Sequence, residues 1–235
     1  MTRTRWIIFS IACVLLLGIL VTNSKRDSID VSKVDPAKVI VDGDGADHVY
    51  GKKDAKVVLI EYGDFQCPGC GVAYTQLKTI KEQYKDQIAF VFRNFPLTTL
   101  HPNALAAATA AGAAGEQGKF WEMHNLLYEN QKAWESLSVT QRGDVFIGYA
   151  KQLGLNVDTF KNDMSSKAVA NKIASDRAIG ARVNVDSTPT LFLGNQKLST
   201  TIVNSVVQSD GKLLTDKLDE AIKAAGGTVP TKSNQ

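Results

Sequence analysis

The sequence predicts an α/β fold that carries an inserted helical subdomain and is preceded by one N-terminal transmembrane helix. Three patterns predict it. Two runs rich in apolar and β-branched residues, Val57 to Tyr62 and Ile88 to Arg93, flank a helical pattern, as in a right-handed βαβ unit. Helical periodicity then holds from His101 to Arg182, too long for a crossover, before a further strand from Thr188 to Leu193. The third pattern is an uncharged run from Trp6 to Thr22. The length of 235 residues suits one generous domain or two small ones. The formal charge of +3, without a cluster of Lys and Arg, argues against a nucleic-acid partner.

Arg3 and Arg5 precede the uncharged run, and Lys25 and Arg26 follow it. Its length lies at the short end of a bilayer span and beyond a usual signal-peptide core. The residues at its end, Val21-Thr22-Asn23, make a poor cleavage site. Residues 1–24 therefore read as an uncleaved anchor in the lipid bilayer, with the N-terminus inside. Cys13 lies mid-span and reads as a buried thiol without a role. Residues 25–38 are polar and aperiodic, and read as a linker. Val39-Ile40-Val41 is a short possible strand. Asp42-Gly43-Asp44-Gly45 has the opening of a calcium loop, but no acid stands at the later ligand position, so it reads as a turn. His48 to Gly51 leads into the first central strand.

That strand ends in Glu61-Tyr62-Gly63-Asp64-Phe65-Gln66-Cys67-Pro68-Gly69-Cys70, followed by an amphipathic pattern of Val72, Leu77, Ile80 and Tyr84. Cys67 thus falls where a strand turns into a helix. Unpaired N–H groups and the positive end of the helix dipole favour a thiolate there. Pro68 suits the first helical position, since the N–H it lacks would be unpaired anyway. Cys70 follows one turn later, close enough to close a disulfide. A zinc site lacks further ligands at suitable spacing: there is no other Cys pair, and the three histidines are scattered. A purely structural disulfide over so short a loop would stabilise little. The spacing predicts redox chemistry, with Cys67, the more exposed of the pair, as the nucleophile and Cys70 as its buried partner. No metal, nucleotide or flavin motif is present, so no cofactor is expected.

Beyond it, Pro102 opens a helix over the alanine-rich run to Ala114. Phe120, Met123, Leu126 and Leu127 repeat at helical spacing, as do Val145, Tyr149 and Leu153. Helices are also expected from Asp158 to Met164 and from Ser166 to Val183. Thr188-Pro189 opens the next strand, at a bend. Gly194-Asn195 turns into Lys197-Leu198, and Leu213 to Ala224 forms the last helix. His101 and His124 read as helix-start and packing residues. The folded domain is expected over 39–227, its helical insertion over about 101–184, and a loose tail over 228–235.

Several separate segments resemble the DsbA-like branch of the thioredoxin-like family. They are the stretch 61–70 above, Phe-Arg-Asn-Phe-Pro-Leu at 92–97, His-Pro-Asn-Ala at 101–104, Gly-Lys-Phe-Trp-Glu-Met-His at 118–124 and Ser-Thr-Pro-Thr-Leu-Phe-Leu-Gly at 187–194. The resemblance covers about residues 35–226. It implies a thioredoxin-like fold with an inserted helical subdomain, and an extracytoplasmic bacterial thiol:disulfide oxidoreductase. It also implies a buried acid at Glu61 that relays the proton of Cys70, and a cis-proline loop at Thr188-Pro189 that lies against the dithiol and takes an extended substrate. Phe65, Gln66, Pro68 and Gly69 are expected around the nucleophile as the substrate rim. Gly69 offers no side chain to the thiolate, which predicts a weaker oxidant than relatives with histidine there. The expected function is an oxidase donating its Cys67–Cys70 disulfide to substrate proteins with cysteines, recharged by a membrane quinone-linked partner of the DsbB or VKOR type. The alternatives are a reductase or isomerase using the same dithiol, or a chaperone-like binder of unfolded chains.

Overall fold

The computed structural model describes residues 29–41 and 45–231. Its sheet begins with β1 (His48–Gly51) and β2 (Val57–Gly63), and helix α1 (Pro68–Tyr84) leads to β3 (Ile88–Asn94). The helical insertion comprises α2 (Ala104–Glu116), α3 (Phe120–Glu129), α4 (Gln131–Trp134), α5 (Val139–Gln152), α6 (Val157–Asp163) and α7 (Lys167–Arg182). The chain closes with β4 (Thr190–Leu193), β5 (Gln196–Lys197), α8 (Thr200–Gln208) and α9 (Lys212–Ala224).

The sheet order is β1-β3-β2-β4-β5. Strands β2 and β3 run parallel in register from Val57 opposite Ile88 to Gly63 opposite Asn94, and both are buried along their whole length. That burial explains their continuous apolar runs, since helices cover a parallel pair on both faces. Strand β4 pairs antiparallel with β2, with Glu61 opposite Leu191 and Tyr62 opposite Thr190. The thioredoxin-like α/β arrangement and the helical insertion are as expected.

Two apolar clusters hold the layers. Leu59, Leu77, Ile80, Phe90, Leu214 and Leu218 join α1 and α9 to the sheet. Phe65, Phe92, Met123, Leu127, Trp134 and Phe146 join the insertion to the active end of β2 and β3. Helix α2 is alanine-rich because it is packed on nearly all sides; Ala107, Ala110, Ala111, Ala113 and Ala114 are fully buried. A larger side chain there would overpack the subdomain.

A buried ionic network ties β3 to α7. Arg93 meets Asp47 at 2.9 Å, and Lys172 meets Asp47 at 2.9 Å and Asp176 at 2.6 Å. The Asp176 carboxylate also accepts from the N–H of Asn94 at 2.9 Å. Burial opposes ionisation of Asp47, but Lys172 and Arg93 outweigh it and hold its carboxyl low.

Several segments differ from expectation. No element was expected at Thr200–Gln208, a run rich in Thr, Ile and Val with modest helix propensity. It is a helix because Ser199 caps it, accepting from the N–H of Ile202, and because Val206 is buried against its neighbours. His48–Gly51 is an edge strand antiparallel to β3, whereas Val39–Val41 forms no strand. Helix α2 starts two residues beyond Pro102, at Ala104. In the stretch read as a linker, residues from Val31 onward are bound to the domain. Arg93 donates to the carbonyls of Pro36 (2.7 Å) and Lys38 (2.9 Å), and Arg182 donates to those of Val31 and Val34. Among the described residues no helix is long and apolar enough to cross a membrane. The anchor expected over 1–24, Cys13 and the turn at 42–44 lie outside them.

Candidate functional site

The site forms where β2 gives way to α1. Asp64 shapes the turn: its carboxylate accepts from the N–H of Gln66 at 2.8 Å and of Leu97 at 2.9 Å, and meets Nδ1 of His101 at 2.7 Å. Cys67 is the N-cap of α1 and Pro68 its first residue. No acidic side chain occupies the first turn, so the positive helix end faces the sulfur unopposed. Both cysteines are free thiols; Cys67 is 8% exposed and Cys70 fully buried.

The pair is electrically asymmetric. The Cys67 thiol is pulled down to about 5, chiefly by a hydrogen bond from Cys70; burial pushes back, and Thr188 and the N–H groups of Cys70 and Gly69 lower it further. Cys70 is pushed well up by burial and by its neighbour Cys67. In the thiol form Cys67 Sγ donates to the Thr188 carbonyl at 3.2 Å, while the buried Thr188 hydroxyl has no hydrogen-bond partner.

Thr188 and Pro189 reach the dithiol because β4 lies beside β2, and the Thr188–Pro189 bond is cis. Gly69 faces this loop: a Cβ at that position would stand 3.4 Å from Pro189 Cδ and 3.8 Å from Cys67 Sγ. Pro68 is exposed, and Gly69, Thr188 and Pro189 are half-buried. These four surround the nucleophile. Phe65 and Gln66, expected on the same rim, do not. The Phe65 ring is 1% exposed and packs 5.0 Å from Phe92 and from Tyr128, as an aromatic following a buried strand must. Gln66 points into the insertion, accepting from the N–H of Asn103 at 2.6 Å and donating to the carbonyl of Glu135 at 2.7 Å.

Glu61 is 2% exposed, behind Cys70 on the face of β2 that α1 covers. Burial raises its carboxyl to about 8; the charge of Lys81 opposes this and that of Cys67 adds to it. Lys81 is itself buried, lowered to about 8 by desolvation, with its ammonium 4.5 Å from the Trp121 ring and 4.9 Å from that of Tyr50. Glu61 therefore carries a proton at neutral pH and can exchange it.

Residues outside the expected set also hold the site. Gln131 donates to the carbonyls of Phe65 (2.7 Å) and Cys67 (3.0 Å), clamping the turn to the insertion. His101, read as a helix-start residue, pairs with Asp64; His124, read as packing, is buried and kept neutral by desolvation. Tyr128 packs beneath the dithiol. The signal for Gln131 and Tyr128 was hidden in a helical stretch with no motif. Among the described residues no group of three or more His, Cys, Asp or Glu could hold a metal.

The profile of the family described as Thioredoxin matches residues 44–223. Among curated proteins, the chain is 36% identical over 203 residues to Na(+)/H(+) antiporter NhaA 1 of Salinispora arenicola. It is 34% identical over 203 residues to NhaA 3 of Salinispora tropica. Each alignment takes in 83% of this chain but 28% of the antiporter, so the chain spans just over a quarter of the length of those relatives. Among solved structures, BdbD from Bacillus subtilis superposes with a TM-score of 0.62 at 24% identity, covering 74% of this chain and 92% of that one. The α-DsbA1 of Wolbachia pipientis gives 0.62 at 22%, covering 76% and 92%. ScsC of Proteus mirabilis gives 0.61 at 21%, covering 94% and 92%. These likenesses give the fold, and the profile gives the kinship: this chain belongs to the thioredoxin family.

Proposed function

We propose that this protein is an extracytoplasmic thiol:disulfide oxidoreductase that works as an oxidase, giving its Cys67–Cys70 disulfide to substrate proteins with cysteines. The observation that carries the reading is the asymmetry of the pair, with Cys67 near 5 and Cys70 pushed well up. A stabilised Cys67 thiolate lowers the energy of the dithiol form, which makes the disulfide the stronger oxidant.

In the forward direction a substrate thiolate attacks Cys67 Sγ. The Cys67–Cys70 bond breaks and its electron pair goes to Cys70, which takes a proton from Glu61. The second substrate thiolate then attacks the substrate sulfur of the mixed disulfide and expels Cys67 as thiolate. Two substrate thiols are oxidised and the enzyme disulfide is reduced. Pro68, Gly69, Thr188 and Pro189 receive the substrate, Thr188 and Pro189 through an extended backbone. The dithiol is recharged by a membrane quinone-linked partner of the DsbB or VKOR type, and residues 1–24 anchor the domain of 39–227 outside the cytoplasm.

The test is the reduction potential of the pair, by equilibrating the full chain in detergent with glutathione buffers. The expected value lies at about −120 to −180 mV. A value near about −270 mV would make the protein a reductant and reverse the reading.

A further inference from the structure

Behind the dithiol lies a hydroxyl that the fold leaves without a partner. Tyr128, on α3, is 5% exposed, and its phenol oxygen makes no hydrogen bond among the described residues. Buried polar groups are nearly always paired, so an orphan calls for an explanation. Its ring is clamped by Phe65 and His124, both at 5.0 Å, and by Tyr74 at 5.3 Å. The hydroxyl reaches the backbone of β2: a Cβ at Gly63 would stand 3.1 Å from it. Gly63 is two residues past Glu61 on the same face of the strand, and Asp64 and the dithiol turn follow at once. The ionisable groups that act on the phenol are, in order, Cys70, Glu61, Asp64 and Cys67; burial comes first, and together they keep it protonated. A protonated donor therefore stands near Cys70 and Glu61, which gain or lose protons during exchange.

We propose that the Tyr128 hydroxyl donates a hydrogen bond, directly or through one water, to the negative charge that forms on Cys70 and Glu61 when the Cys67–Cys70 disulfide is opened. The inference rests on the oxidoreductase reading above. When the attacking thiolate bonds to Cys67 Sγ, the broken bond leaves its electron pair on Cys70. Glu61 passes its proton to that sulfur and becomes a carboxylate in a site where, among the described residues, no cation is within hydrogen-bond reach of it. Tyr128 keeps its own proton throughout and stabilises whichever of the two carries the charge. In the resting dithiol Cys70 and Glu61 are both protonated and neither offers the hydroxyl an anion, in keeping with its lack of a partner.

The test is Tyr128→Phe in the full chain. Both proteins are oxidised, then reduced with excess dithiothreitol from pH 6 to 9, sampling by acid quench and alkylation. The thermal midpoint of the oxidised form and the Cys67 thiolate titration are measured alongside. The rate of disulfide opening is expected to fall about tenfold, the worth of one hydrogen bond to a charged group. The oxidised midpoint is expected to stay or rise, because a buried orphan hydroxyl is removed, and the Cys67 titration to stay in place. Equal rates, or a slowing matched by a lost midpoint, would overturn the inference. Failure of the pair to form a disulfide in the parent chain would instead overturn the oxidoreductase reading.

Discussion

Two buried polar regions of this molecule treat charge in opposite ways. In the network of Asp47, Arg93, Lys172 and Asp176, two cations meet two carboxylates at 2.6 to 2.9 Å. Behind the dithiol, Glu61 feels the charge of Lys81 but forms no ion pair among the described residues, and the Tyr128 hydroxyl has no partner among them. Compensation holds the Asp47 carboxyl low, although burial still raises that of Asp176 beside it. Without it, Glu61 and Lys81 both move to about 8, and protons become exchangeable in the working range. The same burial thus makes a lock in one place and a reactive site in the other.

The largest effect should come from breaking the lock. Arg93→Met leaves the Asp47 carboxylate buried with one cation fewer and frees the carbonyls of Pro36 and Lys38. Chemical denaturation should show a loss of about 3–5 kcal/mol, while the Cys67 thiolate titrates as before. A moved titration would mean that the two regions are coupled.

Glu61→Gln is expected to act the other way, on rate and on pH dependence. Disulfide exchange should slow at least about tenfold, as for a lost acid–base group. Stability should change with a definite sign. The folded carboxyl keeps its proton to about 8, whereas the unfolded one loses it near 4.5. Between these values the unfolded chain binds fewer protons, so this group erodes stability as pH rises, by up to about 1.4 kcal/mol per unit. Denaturation of the parent and the variant from pH 4 to 9 should therefore diverge in that window, with the variant gaining on the parent as pH rises. Parallel curves would return Glu61 to a structural role.

The smallest effect concerns the rim. Gly69→His fits sterically, since its Cβ would make only ordinary contacts, and it places an imidazole beside the sulfur. The Cys67 titration, followed by thiolate absorbance, should drop by about one unit, and the potential should become more oxidising. An unchanged titration would mean that the helix end and the donors already in place set the acidity alone.

What could be read from residues alone followed strong local signals. The buried strands at 57–63 and 88–94 announced themselves as apolar runs, and Cys67-Pro68 marked a helix start at one residue's precision. Helix α8 escaped because six of its nine residues, Thr200, Thr201, Ile202, Val203, Val206 and Val207, are β-branched; its cap and its packing decide its state. Strand β1 escaped because four residues carry little periodicity, and its pairing with β3 is non-local. In the site, the cysteines, Glu61 and the loop at 188–189 were legible from motif and resemblance. Phe65 and Gln66 were misplaced because adjacency to a nucleophile says nothing about which way a side chain turns. Gln131 and Tyr128 act on the turn from more than sixty residues away in sequence, and only the docking of the insertion brings them there.

The pairing of β4 with β2 has a consequence for how such a protein can be altered. Cys67 and Thr188 meet across 121 positions of sequence, yet their meeting is fixed by a ladder only four residues long. The segment between them, residues 68–187, is an excursion that begins and ends on neighbouring strands. Within it, the helical insertion of residues 104–182 is the part free to vary, provided Gln131 still finds the turn, because α1 carries Cys70 and β3 pairs with both β1 and β2. A slip of one residue in the ladder would do the reverse: it would turn Leu191 and Leu193 to the opposite face and carry Thr188 away from the sulfur. The insertion can therefore diversify while the seam of β2 and β4 keeps the redox chemistry in place.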